Sequence, residues 1–168
     1  MVLKNISERY SVRGFSSKPV EDEKLREVLE AGRLSPSAKN RQQWKFVVIK
    51  DENKRKKLVD IAKGQKFVGD APVVIAVCAC GMDYRMTCGR TASIIDASIA
   101  ATGMTLEAVE HGLGTCWIGA FYADKLAELI NLPEDWAVVT LLPLGYPDAT
   151  DPESPRKDFE EVVSFDSF

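Results

Sequence analysis

Apolar residues recur at helical spacing over positions 21–32, where Leu25, Val28 and Leu29 fall on one stripe. Gly32 is the predicted C-terminal stop of that helix. Residues 2–11 predict a shorter helix ending near Ser11. Positions 34–43 are polar without a period and are expected to be a loop. Trp44–Ile49 alternates at its start and is rich in β-forming side chains, which predicts a strand. Asp51 then stands where it can cap a helix running to about Lys63, with Leu58 and Ile61 turned inward.

Pro72 opens an unbroken apolar run over 73–79, the pattern of a strand covered on both faces. After a loop over 81–90, residues 91–111 give the longest helical pattern. Its apolar positions, among them Ile94, Ile95, Ile99, Met104 and Val109, wrap most of the way round. A helix apolar on nearly all sides is buried in a core or in an interface. In a chain of 18.6 kDa an interface between chains is the more economical reading. Gly112 and Gly114 end this helix. Residues 115–118 predict a short strand, 123–131 a helix stopping before Pro133, and 136–144 a central strand. From Tyr146 onward the tail is polar and carries Pro147, Pro152 and Pro155. Strands separated by helices, with no repeat or linker, imply one layered α/β domain over residues 1–168.

Of 168 residues, 45% are hydrophobic and 28% charged, which excludes disordered and fibrous classes. No apolar run is expected to reach the roughly 18 residues of a membrane span, and the first residues lack a secretory apolar region. A soluble, cytoplasmic protein without a membrane partner is expected. The net charge of −3 excludes a general nucleic-acid binder. The charge is uneven, +8 over residues 1–66 and −11 over 67–168, which fits an anionic ligand or self-association. Lys54 through Lys57 reads as the solvated side of a helix.

Chemistry is constrained by what the residues offer. Cys78 and Cys80 would share one strand face, yet there is no second CxxC pair and one histidine in the whole chain, so buried, reduced thiols are expected. His111 falls at the end of the long helix, where a structural role complementing the helix dipole is expected. Phosphate-loop, dinucleotide-fingerprint, HExxH and GxSxG motifs are lacking, so nucleophilic catalysis by a Ser or Cys system is not supported. Arg9, Ser11 and Arg13 alternate, so an extended chain carries two guanidinium groups and a hydroxyl on one side, a set suited to phosphate. Residues 36–44, Pro-Ser-Ala-Lys-Asn-Arg-Gln-Gln-Trp, offer short polar side chains that can bond a heterocycle or polyol.

In order and spacing these segments resemble the FMN-dependent nitroreductase family. Residues 9–15 are similar to its R-x-S-x-R/K-x-F block. Residues 31–46 are similar to its A-P-S-x-x-N-x-Q-P-W-x-F block, and 96–121 to its A-x-x-x-G-L-G-x-C-W-I-G block. Leu144-Gly145-Tyr146-Pro147 and residues 155–163 complete the match. Gln43 replaces the family's proline before the tryptophan, and Ser154 stands where many members carry a basic residue.

The resemblance implies an α+β, three-layer α/β/α fold, with a central mixed sheet flanked by helices, in a homodimer holding FMN at its subunit interface. Arg9 and Arg156 would bind the FMN phosphate and Ser11 would add a hydroxyl donor. Arg13 would lie by the pyrimidine edge of the flavin, where positive charge favours the reduced ring. Pro36, Ser37, Ala38 and Asn40 would contact the flavin from the second subunit. Gln65 would present its amide to the ring, and the backbone at Gly119 and Ala120 would run past it. No catalytic side chain is expected, because the chemistry belongs to the flavin. NAD(P)H would supply hydride, and a nitroaromatic, quinone or similar electron-poor compound would accept it. A second expectation is an FMN-binding sensor or carrier without turnover. A third is a metal or iron–sulfur protein using Cys78, Cys80 and Cys88.

Overall fold

In a computed structural model the chain is described over residues 2–148 and 154–168. Val73–Cys80 (β2) is apolar throughout and takes the inside of the sheet, where both faces are covered. Trp44–Ile49 (β1) pairs with it antiparallel, Trp44 opposite Ala79 and Ile49 opposite Val74. Trp136–Gly145 (β4) pairs antiparallel on its other side, with a slip at Val77/Cys78. Gly114–Thr115 (β3) completes the order β1-β2-β4-β3. A parallel bridge from Ser11 to Thr115 adds the N-terminal segment to the β3 edge.

The two-residue period of β2 divides the core. Val73, Ile75, Val77 and Ala79 meet Leu142, Leu144, Val28 and Met104 on one face. Val28 and Met104 come from the helices Asp22–Arg33 (α2) and Ala92–Glu110 (α5). Val74, Ala76 and Cys78 meet Leu141, Leu58, Val68 and Leu126 on the other face. Those last three side chains belong to Glu52–Ile61 (α3), Lys66–Asp70 (α4) and Ala123–Ile130 (α6). The result is the expected three-layer α/β/α arrangement. Short helices Lys4–Glu8 (α1) and Phe159–Val162 (α7) lie near the two ends of the described chain.

Several local expectations hold in detail. The Asp51 carboxylate accepts from the Lys54 N–H at 2.8 Å and caps α3. Asn131 closes α6 in the left-handed conformation, and Gly112, at φ 68°, follows α5. At 19 residues α5 is long and apolar enough to cross a membrane by length and composition, but half of that window is buried against α2 and the sheet. It is a core helix with one apolar side left outside.

Others are corrected. Gly32 does not stop its helix, which runs on to Arg33. It is instead a close-packing point: a β-carbon there would sit 2.9 Å from Met104 Cγ and 3.0 Å from Phe46 Cε2. The strand expected over 115–118 ends at Thr115 because the next pair would set Cys116 opposite Pro143, which has no N–H. Ladder contact resumes at Ile118, whose N–H donates to the Leu141 carbonyl at 2.9 Å. The N-terminal helix stops at Glu8, since residues 11–15 are extended against Thr115 and Pro147. The thiols are all free, yet Cys88 is exposed, and only Cys78 and Cys116 are fully buried. Burial pushes the Cys78 thiol up to about 11.

His111 is structural, as expected: its Nε2 lies 3.0 Å from Glu27 and 3.1 Å from Glu107, tying α2 to the end of α5. Beside it, Lys24 Nζ donates to Tyr146 at 2.7 Å, and the Tyr146 hydroxyl donates to Glu21 at 2.7 Å. That hydroxyl is the main cause holding the Glu21 carboxyl down at about 2. A carboxyl with a depressed folded-state pKa stabilises the fold above its ordinary value and loses that contribution as pH falls. Tyr146→Phe is therefore expected to lower thermal stability near pH 6. The deficit should shrink as pH falls from the ordinary value of 4.5 toward about 2, which melting curves across that window check.

Candidate functional site

The chain leaves α1 at Arg9 in an extended conformation. Val12, 2% exposed, points into the core, and its N–H donates to the Thr115 carbonyl at 2.9 Å. Alternation then turns Ser11 and Arg13 the other way. Cys116, which follows Thr115, is buried. Burial raises that thiol's pKa, while Arg13, a hydrogen bond with Ser11, and Arg9 oppose the rise in that order. The segment that the Ser11–Thr115 bridge adds to the β3 edge carries two guanidinium groups and a hydroxyl, a donor set suited to phosphate. Glu8, Arg9, Val12, Val109 and Gly114 line a cavity of about 190 Å³ beside this segment. That is below the roughly 300 Å³ of an ordinary ligand pocket.

The chain continues from Cys116 to Gly119 and Ala120, both exposed. A β-carbon on Gly119 would meet nothing within 4 Å, so open space faces this backbone. Gln65, half-buried at the start of α4, donates from Nε2 to Ala62 O at 2.9 Å and to Ala120 O at 3.3 Å. Gln65 thus stands against the Gly119–Ala120 backbone, while Arg9, Ser11 and Arg13 lie on the segment bridged to Thr115, four residues before Gly119 in the chain.

The loop from Pro36 lies elsewhere. Pro36 is exposed, and Ala38–Asn40 forms a 3₁₀ turn with Lys39 at φ 54° and Asn40 at φ 53°. Ser37 Oγ accepts from the Gln42 N–H at 3.0 Å, and the Gln42 amide donates to Asn40 Oδ1 at 3.1 Å. The Ala38 N–H donates at 3.0 Å to Asp96 near the start of α5, whereas the Arg9 cavity touches Val109 near its end. At 1.5 Å per residue those points are about 20 Å apart along the helix. Within one chain the loop and the arginine surface do not form a single pocket. Arg156 lies on the exposed tail, where its Nη1 donates to Ser154 O at 3.0 Å.

Two features were not anticipated. Asp96 is buried, and it is the one charged residue between Ala92 and Leu106, a signal that was there to read. Tyr84 carries the Arg41 guanidinium 4.2 Å from its ring centroid and so supports the 36–42 loop from outside. Among the described residues no three of His, Cys, Asp and Glu converge as a metal-binding group, so Cys78, Cys80 and Cys88 do not make one. α5 leaves an apolar side uncovered: Ile94, Ile95 and Ile99 are 40%, 38% and 39% exposed.

Comparison with known proteins bears on the family and the fold. The model of the nitroreductase family matches residues 6–65 and 62–146. An FMN reductase [NAD(P)H] of Bacillus subtilis is 31% identical over 178 residues, covering 96% of this chain and 72% of its own length. An NADH dehydrogenase of Thermus thermophilus is 31% identical, covering 92% of this chain and 91% of its own. The solved NADPH:FMN oxidoreductase from Vibrio harveyi, complexed with NAD⁺, superposes with a TM-score of 0.90 at 27% identity, over 98% of this chain and 76% of that one.

Proposed function

The chain belongs to the nitroreductase family, and from that premise we propose that it is an FMN-dependent NAD(P)H oxidoreductase reducing an electron-poor acceptor such as a nitroaromatic or a quinone. Relatives named FMN reductase and NADPH-flavin oxidoreductase support the enzyme class and the cofactor. The observation that supports the reading here is that the extended segment carrying Arg9, Ser11 and Arg13 is bridged to Thr115, in the same stretch of chain that leads to the Ala120 carbonyl bonded by Gln65. When bound, FMN would supply the redox chemistry between a reduced nicotinamide and the acceptor.

The residues of this chain bind and orient. Arg9 neutralises phosphate charge, and Ser11 donates a hydrogen bond. Arg13 adds positive charge near the ring, and Gln65, already fixed by two carbonyls, holds its amide beside Ala120. Arg156 would complete the phosphate site. Pro36, Ser37, Ala38 and Asn40 reach the same flavin only if they come from a second copy, since one chain holds them far from its own arginines. A homodimer pairing the α5 sides supplies that copy and covers Ile94, Ile95 and Ile99. A cytoplasmic setting fits free thiols and a soluble cofactor.

Arg9→Ala is expected to weaken FMN binding about 10- to 100-fold, the worth of one charged hydrogen-bonded contact, with the circular dichroism unchanged. Arg156→Ala should weaken it in the same direction. Titration of FMN fluorescence reads both, and wild-type affinity in both variants would remove the phosphate assignment. The function itself is tested by NADH and NADPH oxidation with a nitroaromatic under anaerobic conditions. Rates well above those of free FMN are expected, while bound FMN without turnover would favour a carrier or sensor.

A further inference from the structure

We propose that Asp96 is a positioning residue for the flavin-contacting loop, an inference that rests on the FMN reading above. Asp96 sits on α5 among Ala92, Ser93, Ala97 and Ala100, all buried, and is itself 4% exposed. Nothing in the packing of small side chains there calls for a carboxyl, and burying one is unfavourable unless its bond is needed. The bond it makes leads out of the helix, to the Ala38 N–H at 3.0 Å.

That amide opens a turn with three left-handed residues other than glycine. Lys39, Asn40 and Gln42 have φ of 54°, 53° and 52°, left-handed values that residues other than glycine rarely adopt. Such conformations persist where their surroundings over-determine them, and they concentrate at ligand-binding sites. Within the turn, the N–H groups of Asn40, Arg41 and Gln42 bond Ser37 O, Ala38 O and Ser37 Oγ at 2.9, 3.2 and 3.0 Å. These are local bonds, which fix the shape of the turn but not its place on the molecule.

It is attached to the rest of the fold at both ends and through Tyr84: the Cys80 N–H donates to Gln43 O at 3.2 Å just past it, and Lys39 Nζ lies 5.8 Å from the Tyr84 ring centroid. Ser35 lies against Gly103, where a β-carbon would come within 2.9 Å of its Oγ, and Arg41 rests on Tyr84 in an exposed contact. The Asp96–Ala38 bond is the anchor rooted in the core. It fixes where Ser37, Ala38 and Asn40 stand on the α5 surface, and so where they would meet the flavin of a second copy.

The test uses the full-length protein and three variants. Asp96→Ala removes the acceptor. Ala38→Pro removes the donor without disturbing the core, at a first-turn position that tolerates proline. Asp96→Asn keeps an oxygen that can accept. FMN affinity is read by fluorescence titration, and hydrogen exchange at the Asn40, Arg41 and Gln42 amides is read without cofactor. Asp96→Ala and Ala38→Pro are each expected to weaken FMN about tenfold and to speed exchange at those amides, while Asp96→Asn stays within about threefold of wild type. Unchanged exchange in Ala38→Pro overturns the proposal, as does an Asp96→Asn defect as large as that of Asp96→Ala. Failure of the wild-type protein to bind FMN would instead overturn the cofactor reading, and the exchange data would still decide whether Asp96 holds the turn.

Discussion

Ile99→Asp is expected to leave the chain folded but monomeric and unable to retain FMN. In one chain Ile99 is 39% exposed, so a carboxylate there is solvated, and the helix loses only about 0.7 kcal/mol of propensity. Across a paired α5 surface the same carboxylate would lie among Ile94, Ile95 and their counterparts, desolvated and without a partner, at a cost of several kcal/mol. The apolar burial of the isoleucine, about 2 kcal/mol per copy, would be lost as well. Cofactor retention should fall with the dimer, because the 36–40 loop and the Arg9 surface are at opposite ends of α5. Sedimentation and the flavin absorbance of the desalted variant check both parts. A variant that is still dimeric and yellow would mean that another face carries the assembly.

Gly114→Ala is expected to damage stability and cofactor binding together. A β-carbon at this position would sit 2.3 Å from Val12 Cγ2 and 3.0 Å from Pro147 Cγ. The first distance is impossible, so the Val12 segment must move away from β3. Overpacking of this kind costs about 1–3 kcal/mol, and the upper end applies where the obstacle is a buried β-branched side chain. The displaced segment is the one that carries Arg9, Ser11 and Arg13, and its link to Thr115 is the bond that sets their direction. A melting temperature lowered by several degrees with weaker FMN binding is expected. Loss of stability with wild-type FMN affinity would show that the arginine surface does not depend on this contact.

The strands were legible because their signal is local. Trp44–Ile49 matches its predicted limits, and β4 extends the predicted 136–144 by one residue, since β-branched and apolar runs bounded by polar turns have few alternatives. The wrapped apolar pattern of α5 was legible too, including the surplus that remains outside the fold. What local pattern could not supply was distance. Gly32 reads as a helix stop until Met104 and Phe46 are seen against it. The ladder break after Thr115 depends on Pro143, nearly thirty residues on. In the candidate site the alternation of Arg9, Ser11 and Arg13 could be read directly, and the resemblance supplied the rest. Asp96 escaped because a lone acid on an apolar helix has no partner in its own sequence neighbourhood, and the left-handed turn it holds has no glycine to announce it.

The measurement that bears most directly on a flavin enzyme with a shared site is the visible absorption spectrum of the purified protein, before and after adding FMN and desalting. Two flavin bands that persist through desalting and bleach on anaerobic addition of NADH or NADPH are predicted. A protein that stays colourless after reconstitution would contradict it, leaving the nitroreductase fold without the cofactor that the arginine surface is built to hold.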